Sequence, residues 1–298
     1  MTLSYLWRLL CLSAAVFFLL NFALGAIVSL AAPLVIRLAE RTAPRNAARL
    51  LLMARLAPAA VAALVVLAAC VPSYLWLEPA ASAEHVGTTC LAAAALGFLL
   101  CLAACARVGR AAARSHNFLR LQSPCLAMSG ILRPRLIVAP VVRRALTPEQ
   151  LEAALDHERA HWVSRDNLKR LLMLISPGIL PFYCGLARLE RAWNRLTEWA
   201  ADDAAVAGST TRSLSLAAAL VSVARLQAAP PPPLATSLLG DSPDLAGRVA
   251  RLLHRPPRRE IYRRSGRPFV IASVALTVVL LNPSTLYFAH RLLERLME

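Results

Sequence analysis

The sequence has few acidic residues, almost no lysine and no Cys-x-x-Cys pair. Its 298 residues include 33 Lys and Arg against 17 Asp and Glu, which gives a net charge of +16. The arginines cluster beside apolar blocks rather than among aromatic residues, which disfavours nucleic-acid binding and favours charges that orient a membrane protein. The seven cysteines are odd in number and scattered, which argues against a disulfide framework.

Hydrophobic residues are in excess, at 58% of the chain, against roughly 45–50% in an ordinary soluble domain. They form long runs, each reaching the roughly 20 residues that a helix needs to cross a bilayer core. The predicted spans are residues 9–36, 57–77, 86–106 and 268–289. The first run is too long for a signal-peptide core of about 7–15 residues, although small residues at 23–26 resemble a cleavage site.

The loops between these runs predict an orientation. The loop at 37–56 holds five arginines and one acid, whereas the loop after the second run holds acids and no Lys or Arg. Positively charged loops stay in the cytoplasm. The predicted topology has three transmembrane helices in residues 1–106, a cytoplasmic domain at 107–267 and a fourth helix at 268–290. The N-terminus and a short tail, 291–298, are then extracytoplasmic in a multi-pass plasma-membrane protein.

A motif near the middle of the chain predicts a metal site. Residues 147–150 form a capping-box pattern that starts a helix, and the helix runs through His157-Glu-Arg-Ala-His161. Positions four residues apart differ by only about 40° around a helix axis, so both imidazoles can bind one tetrahedral Zn²⁺. Glu158 lies at the flank of that face, where it can act as general base on a metal-bound water.

Glu198 and Asp202 complete the predicted site. A catalytic zinc keeps three protein ligands and an open position for water, and Glu198 can be the third ligand. Asp202, one helical turn further on, can accept a hydrogen bond from a ligand imidazole. The alternative for Glu198 is a surface pair with Arg191 or Arg195, which the nearby histidine motif makes less favourable. One Zn²⁺ per chain is therefore predicted.

Two further segments bear on this site. The apolar residues 171–187 contain two prolines, and a lone crossing there would separate Glu198 from His157, so we reject it. A buried helix, a re-entrant piece and an interfacial segment remain open.

Residues 133–140 predict a short strand bounded by prolines, which is typical of an edge strand. Such an edge can bind an extended peptide by adding a strand, and an ordinary structural strand is an equal alternative.

The residue that stabilises an oxyanion is not evident from the sequence. His254 and Arg248 are candidates, although a structural or solvated role suits each of them better.

Together these features resemble the BlaR/MecR-type membrane metallopeptidases, metallopeptidase family fifty-six. The resemblance covers about residues 5–290 and rests on residues 146–151, 157–161, 165–168, 133–138 and the pair at 198 and 202. It implies a gluzincin endopeptidase whose mainly α (α+β), zincin-like domain faces the cytoplasm, and it places Asp166 near the zinc helix in a supporting role. The β-lactam sensors of this family carry a large domain after the last span, where only 291–298 is predicted here, so β-lactam sensing is not predicted.

The sequence thus predicts an α-helical integral membrane zinc endopeptidase that cleaves a protein substrate at the cytoplasmic membrane face, in regulated proteolysis such as cleavage of a repressor. A stress or prenyl-peptide-processing protease is the alternative within the same chemistry. A non-catalytic membrane signalling scaffold with a zinc site is the alternative of another class. The predicted partners are a protein or peptide substrate and the lipid bilayer, with no nucleic acid; the oligomeric state is left open.

Overall fold

The computed structural model describes residues 3–78, 86–120, 126–131, 135–178, 184–226, 235–238, 244–254 and 281–297. Most of them are helical. The helices of the apolar part are α1 (Leu3–Glu40), α2 (Pro44–Val65), a π-helical segment (Val66–Cys70), α3 (Val71–Leu77), α4 (Thr88–Arg120) and α11 (Pro283–Met297). The polar part contains β1 (Leu126–Ser129), β2 (Arg135–Val138), α5 (Pro140–Ala145), α6 (Pro148–Ser164), α7 (Asp166–Ile175), α8 (Cys184–Val206), α9 (Thr210–Leu226), β3 (Ala235–Ser237) and α10 (Leu245–His254).

Three helices are long and apolar enough to cross a membrane, namely α1, the continuous helix from Pro44 to Leu77, and α4. They contain the first three predicted spans, so the chain has the features of a helical membrane protein. α4 continues past the predicted end at 106 to Arg120. Most of the fourth predicted span lies outside the described residues. Helix α11 runs through the predicted boundary at 290, so the predicted tail is helical as far as Met297.

Close packing of small residues joins the long helices. A Cβ at Gly97 of α4 would come within 2.7 Å of the backbone oxygen of Ala14 in α1, so the two backbones approach more closely than a side chain allows. Small residues of this kind are typical of helix interfaces in membranes, where lipid supplies no hydrophobic drive between helices.

The two ends of this bundle differ. At one end, Tyr5, Tyr74, Cys90 and Leu293 form one buried cluster, which brings the start of α1, the end of α3, the start of α4 and α11 together. At the other end, Leu51 and neighbours from α1 and α2 pack against the first half of α8. Arg195 of α8 also forms an ion pair with Glu40 at the end of α1. The polar domain therefore packs on the end that carries the arginine-rich loop.

The polar domain has its own core between the strands and helices α5, α6, α9 and α10, built on Leu126, Val142, Leu216, Leu220 and Leu252. Its antiparallel sheet has the order β2-β1-β3, with Leu126 opposite Val138. β2, which comes from the predicted segment 133–140, is thus an edge strand, as predicted. The central strand β1 was not predicted.

The apolar segment 171–187 is divided between two helices. α7 ends at Ile175 and α8 begins at Cys184, with residues 179–183 outside the described residues. Side chains of the long helices bind the residues that follow α7. Asn21 Nδ2 donates to the Pro177 carbonyl at 3.3 Å, and Arg55 Nη1 donates to the Ser176 hydroxyl oxygen at 3.1 Å. The end of α7 is therefore fixed to α1 and α2.

Candidate metal centre

Helix α6 begins as its sequence predicts. The Gln150 amide donates to Thr147 Oγ1 at 3.3 Å, and the Thr147 amide donates to Gln150 Oε1 at 3.2 Å, which completes the capping box. Two of the backbone donors that a helix start would otherwise leave unpaired are thereby satisfied. From this fixed start the helix carries His157 and His161 on one buried face.

The three predicted ligands come together. One atom from each of His157, His161 and Glu198 lies within 4.8 Å of the others. The two imidazole Nε2 atoms are 3.2 Å apart, and each faces an oxygen of Glu198, at 3.5 Å from His157 and 3.7 Å from His161. All three side chains are buried. This group could hold a metal ion.

The carboxylates on the far side of each ring, one in a hydrogen bond and one at ion-pair distance, support a cation site. Asp202 Oδ1 lies 3.0 Å from Nδ1 of His157, and Asp166 Oδ2 lies 2.8 Å from Nδ1 of His161. Since a carboxylate only accepts, the assignment that fits this network puts the proton of each ring on Nδ1. Both Nε2 lone pairs then converge with the Glu198 carboxylate. Three buried acceptors facing one point fit a divalent cation, and a His, His, Glu set is typical of catalytic zinc.

The turn between α6 and α7 brings Asp166 to His161. Arg165 has φ 55° and ψ 43°, in the left-handed region, and it ends α6 and begins α7 at once. A non-glycine residue pays a conformational cost there, and the sharp reversal is what places the next carboxylate beside a ring only five residues earlier. The supporting role that the resemblance implies for Asp166 therefore agrees with its geometry.

Arg248 on α10 joins two of the site's acids. Its Nε and Nη2 donate to the two oxygens of Asp202 at 2.9 and 2.6 Å. Its Nη1 donates to Leu238 O at 2.8 Å and lies 3.1 Å from Glu198 Oε2. The side chain is 1% exposed. These donors already bind acceptors of the chain itself, so Arg248 holds Asp202 and lies beside Glu198.

His254, the other candidate for the oxyanion, is exposed at the end of α10, where its Nδ1 binds the carbonyl of Ala250 at 2.8 Å. It does not reach the centre.

The burial of Arg248 is indicated by a sequence pattern that the prediction did not use. Leu245, Val249 and Leu252 form an apolar stripe at helical spacing, and Arg248 occupies a position within that stripe.

Glu158 faces the sheet. Its Oε2 accepts a hydrogen bond from the Met128 amide of β1 at 3.1 Å, and the side chain is buried. Asn167 fixes this strand, since its Nδ2 donates to the carbonyls of Met128 and Gly130 at 3.2 and 2.9 Å. Burial raises the pKa of Glu158, although the neighbouring histidines oppose the shift. A raised pKa suits a carboxylate that must take and return a proton near neutral pH.

The charges of the centre are strongly coupled. Burial alone would lower the pKa of His161, but the Glu198 charge and the Asp166 hydrogen bond raise it to about 10. Burial opposes ionisation of Asp202, yet the Arg248 charge and the His157 hydrogen bond hold its pKa at about 2. Glu198 has its pKa well below the ordinary value because the cationic groups around it outweigh burial. The acids are therefore ionised, and a divalent cation would displace the proton of His161.

Comparisons of the chain with protein families, with curated proteins and with solved structures find no match. The resemblance to metallopeptidase family fifty-six remains a prediction from the motifs. The six described cysteines are free.

Proposed function

We propose that the chain is a membrane-embedded zinc endopeptidase, with His157, His161 and Glu198 as the ligands of one Zn²⁺ and Glu158 as the general base. The observation that carries this proposal is the buried convergence of two imidazole Nε2 atoms and one carboxylate, each ring backed by an acid. Glu158 follows the first ligand directly and is not itself part of the ligand group.

Each side chain has a part in peptide hydrolysis. A bound Zn²⁺ would supply Lewis acidity and lower the pKa of its water. Glu158 would act as the general base toward the attacking water and would return the proton to the leaving amine. Asp202 and Asp166 hold the ligand rings with Nδ1 protonated, so that Nε2 stays available. Arg248 balances the charge of the two acids on α8. The edge strand β2 offers backbone groups to an extended substrate.

Access to the site requires a rearrangement. His157, Glu158 and Glu198 have no exposed surface, and His161 has almost none. A peptide can reach Glu158 only if β1 or its neighbours move, because the Met128 amide binds the carboxylate that must become the base. The structure thus corresponds to a closed form of the proposed enzyme, which suits a protease whose activity is regulated.

The test is Glu158→Gln in the full chain. The glutamine keeps the size of the side chain and can still accept from the Met128 amide, so folding and zinc content should be retained. Loss of general-base action should reduce proteolysis by about 10²–10⁴-fold. Glu198→Gln is the matched variant, which should lose zinc and activity together. Proteomics of cells that carry Glu158→Gln should show an uncleaved substrate accumulating.

Wild-type proteolysis in Glu158→Gln would contradict the enzyme proposal. With zinc still bound, it would favour the non-catalytic signalling scaffold. The substrate that accumulates distinguishes the two protease types. Accumulation of a soluble repressor favours regulated signalling, and accumulation of misfolded membrane proteins or prenylated peptides favours the processing type.

We further propose that residues 107–267 face the cytoplasm of a plasma-membrane protein, with both termini outside. The support is the arginine-rich loop on the end of the bundle that carries the polar domain. A membrane-impermeant thiol reagent added to intact cells should label a cysteine placed at Ser82 and not one placed at Ser209, each in a cysteine-free background. Labelling at Ser209 would reverse the topology.

A further inference from the structure

A second cavity lies beside the candidate metal centre, between the start of α2, the end of α6 and the middle of α8. Its volume is about 150 Å³, where about 10–15 Å³ suffices to hold one water molecule. The polar side chains that line it include Arg45, Arg49, Lys169, Asp166 and Thr197. The cavity is therefore large enough for a tetrahedral oxyanion, and most of the charged residues that line it are cations.

The acidic residue in the lining of this cavity is outnumbered by the cationic ones. Asp166 is the one acid among the lining residues, and Lys169 Nζ already binds its Oδ1 at 2.7 Å. Arg45 and Arg49 add two further positive charges one helical turn apart. Arg49 has no ion-pair or hydrogen-bond partner among the residues that the structure describes. An anion in the cavity would compensate a positive charge that the chain leaves unpaired there.

A buried hydroxyl points to the same kind of ligand. Thr197 lines the cavity and is 3% exposed, and its Oγ1 has no hydrogen-bond partner among the residues that the structure describes. A buried polar atom without a partner is destabilising, and a ligand oxygen that accepts this hydrogen would remove that cost. Arginine forks and a hydroxyl are groups that proteins commonly use to bind phosphate.

The position of the cavity fits a membrane-surface ligand. Arg45 and Arg49 occupy the first turns of α2, just before the apolar residues that continue into the predicted span. With α2 crossing the bilayer, arginines at this level would lie at the depth of the lipid phosphate groups and be attracted to an anionic surface.

We propose that this cavity is a binding site for a phosphate-bearing anion, supplied either by a lipid headgroup or by a free phosphate. The site stands on the cavity alone and does not depend on the proposed protease activity. It also lies one contact from the metal centre, because the Asp166 carboxylate that borders it accepts from His161. Occupancy would therefore fix Lys169 and Asp166, which hold one of the ligand rings.

The test measures binding to the purified full chain in detergent, with phosphatidic acid and inorganic phosphate as probes and phosphatidylcholine as the reference lipid. Native mass spectrometry reports lipid retention, and calorimetry reports phosphate binding. Arg49→Gln should weaken phosphatidic acid binding at least about tenfold, the value of one lost charge-assisted hydrogen bond. Thr197→Val should weaken it several-fold without changing charge. Arg41→Gln is the matched control, since Arg41 is exposed in the same basic loop and does not line the cavity.

Retention of phosphatidic acid alone would identify the lipid headgroup as the ligand. Binding of inorganic phosphate with the same dependence on Arg49 and Thr197 would show that the free anion suffices. An equal loss of phosphatidic acid binding in Arg49→Gln and Arg41→Gln would overturn the proposal, because binding would then depend only on the surface charge. Absence of binding of both probes to the folded wild-type chain would overturn it as well.

Discussion

His157 and His161 lie one turn apart on the same helix, yet the acids that hold their rings come from different places. Asp166 is five residues from His161 and lies across a tight turn. Asp202 belongs to another helix, and its partner Arg248 is 46 residues further along the chain. The first arrangement is local and depends on one turn, whereas the second exists only when α6, α8 and α10 have assembled.

The two arrangements also differ in solvent exposure. Arg248 and Asp202 are each 1% exposed as side chains, whereas Lys169, the partner of Asp166, is 28% exposed. Solvent screens the Lys169 pair and leaves the Arg248 pair unscreened. Removal of one member of the Asp202 arrangement should therefore cause a large loss of stability and metal affinity. Removal of one member of the Asp166 arrangement should cause a smaller loss.

Arg248→Met should have the largest effect. It removes the cation between two buried acids while keeping an apolar side chain of similar length. Breaking a buried ion pair on one side costs about 3–5 kcal/mol in the free energy of unfolding, so the Tm should drop sharply and metal content should fall. Arg251→Met is the matched control on the same helix, because Arg251 binds the less buried Asp203 at 2.7 Å. Equal losses of Tm in both variants would contradict the special role of Arg248.

The pH dependence of stability should invert when metal is bound. Without metal, the pKa of His161 is raised to about 10, so its stabilising contribution is complete below the unfolded value. That contribution is lost as pH rises from about 6.5 through about 10. With metal, rising pH removes the competing proton and strengthens binding. Tm measured from pH 6 to pH 10 with chelator and with zinc should diverge, and His161→Gln should abolish the decline in the metal-free protein.

Replacement of the two acids compares the arrangements directly. Asp202→Asn and Asp166→Asn each keep a hydrogen-bond acceptor but remove the charge that fixes a ligand ring. Loss of such a group typically costs about 10–100-fold in metal affinity. We expect Asp202→Asn to lie at the upper end of this range, because Arg248 then loses a carboxylate as well, and Asp166→Asn at the lower end. Chelator competition measures both, and a reversed order would show that the local pair dominates.

Lys169→Gln should have the smallest effect. A partly exposed ion pair contributes about 0–1 kcal/mol, so the Tm in phosphate-free buffer should change by little. Metal affinity, measured by the same chelator competition, should stay within a few-fold of the wild type. A loss as large as that of Asp166→Asn would mean that Lys169, rather than the turn at Arg165, holds the carboxylate in place.

Features that depend on nearby residues could be predicted from the sequence. Hydropathy alone located the helices that could cross a membrane, because each span is one continuous run. The capping box and the His157–His161 spacing are also local, so helix geometry was enough to place both imidazoles on one face. Glu198 required the assumption that a catalytic metal has a third ligand, and the structure brings it to the histidines.

Features that depend on distant contacts could not be predicted in the same way. Strand β1 has only four residues, too few to show a period, and its contact with Glu158 spans 30 residues. The role of Arg248 depends on how α10 packs against α8, which no local spacing records. The cavity beside α2 is lined by residues of four helices, so none of its lining segments indicates it alone.

Gly185 brings the start of helix α8 into close backbone contact with α1. A Cβ at this position would lie 2.0 Å from the backbone oxygen of Ser29 in α1, and the Gly185 amide donates to Ser29 Oγ at 3.0 Å. Glu198 lies about 13 residues further along the same helix, which is roughly 20 Å at 1.5 Å per residue. A tilt of about 3° around this pivot moves Glu198 by about 1 Å, a misplacement on the scale that costs enzymes about 100-fold in rate. A small shift of α8 at its contact with α1 would therefore be enough to separate Glu198 from the two histidines.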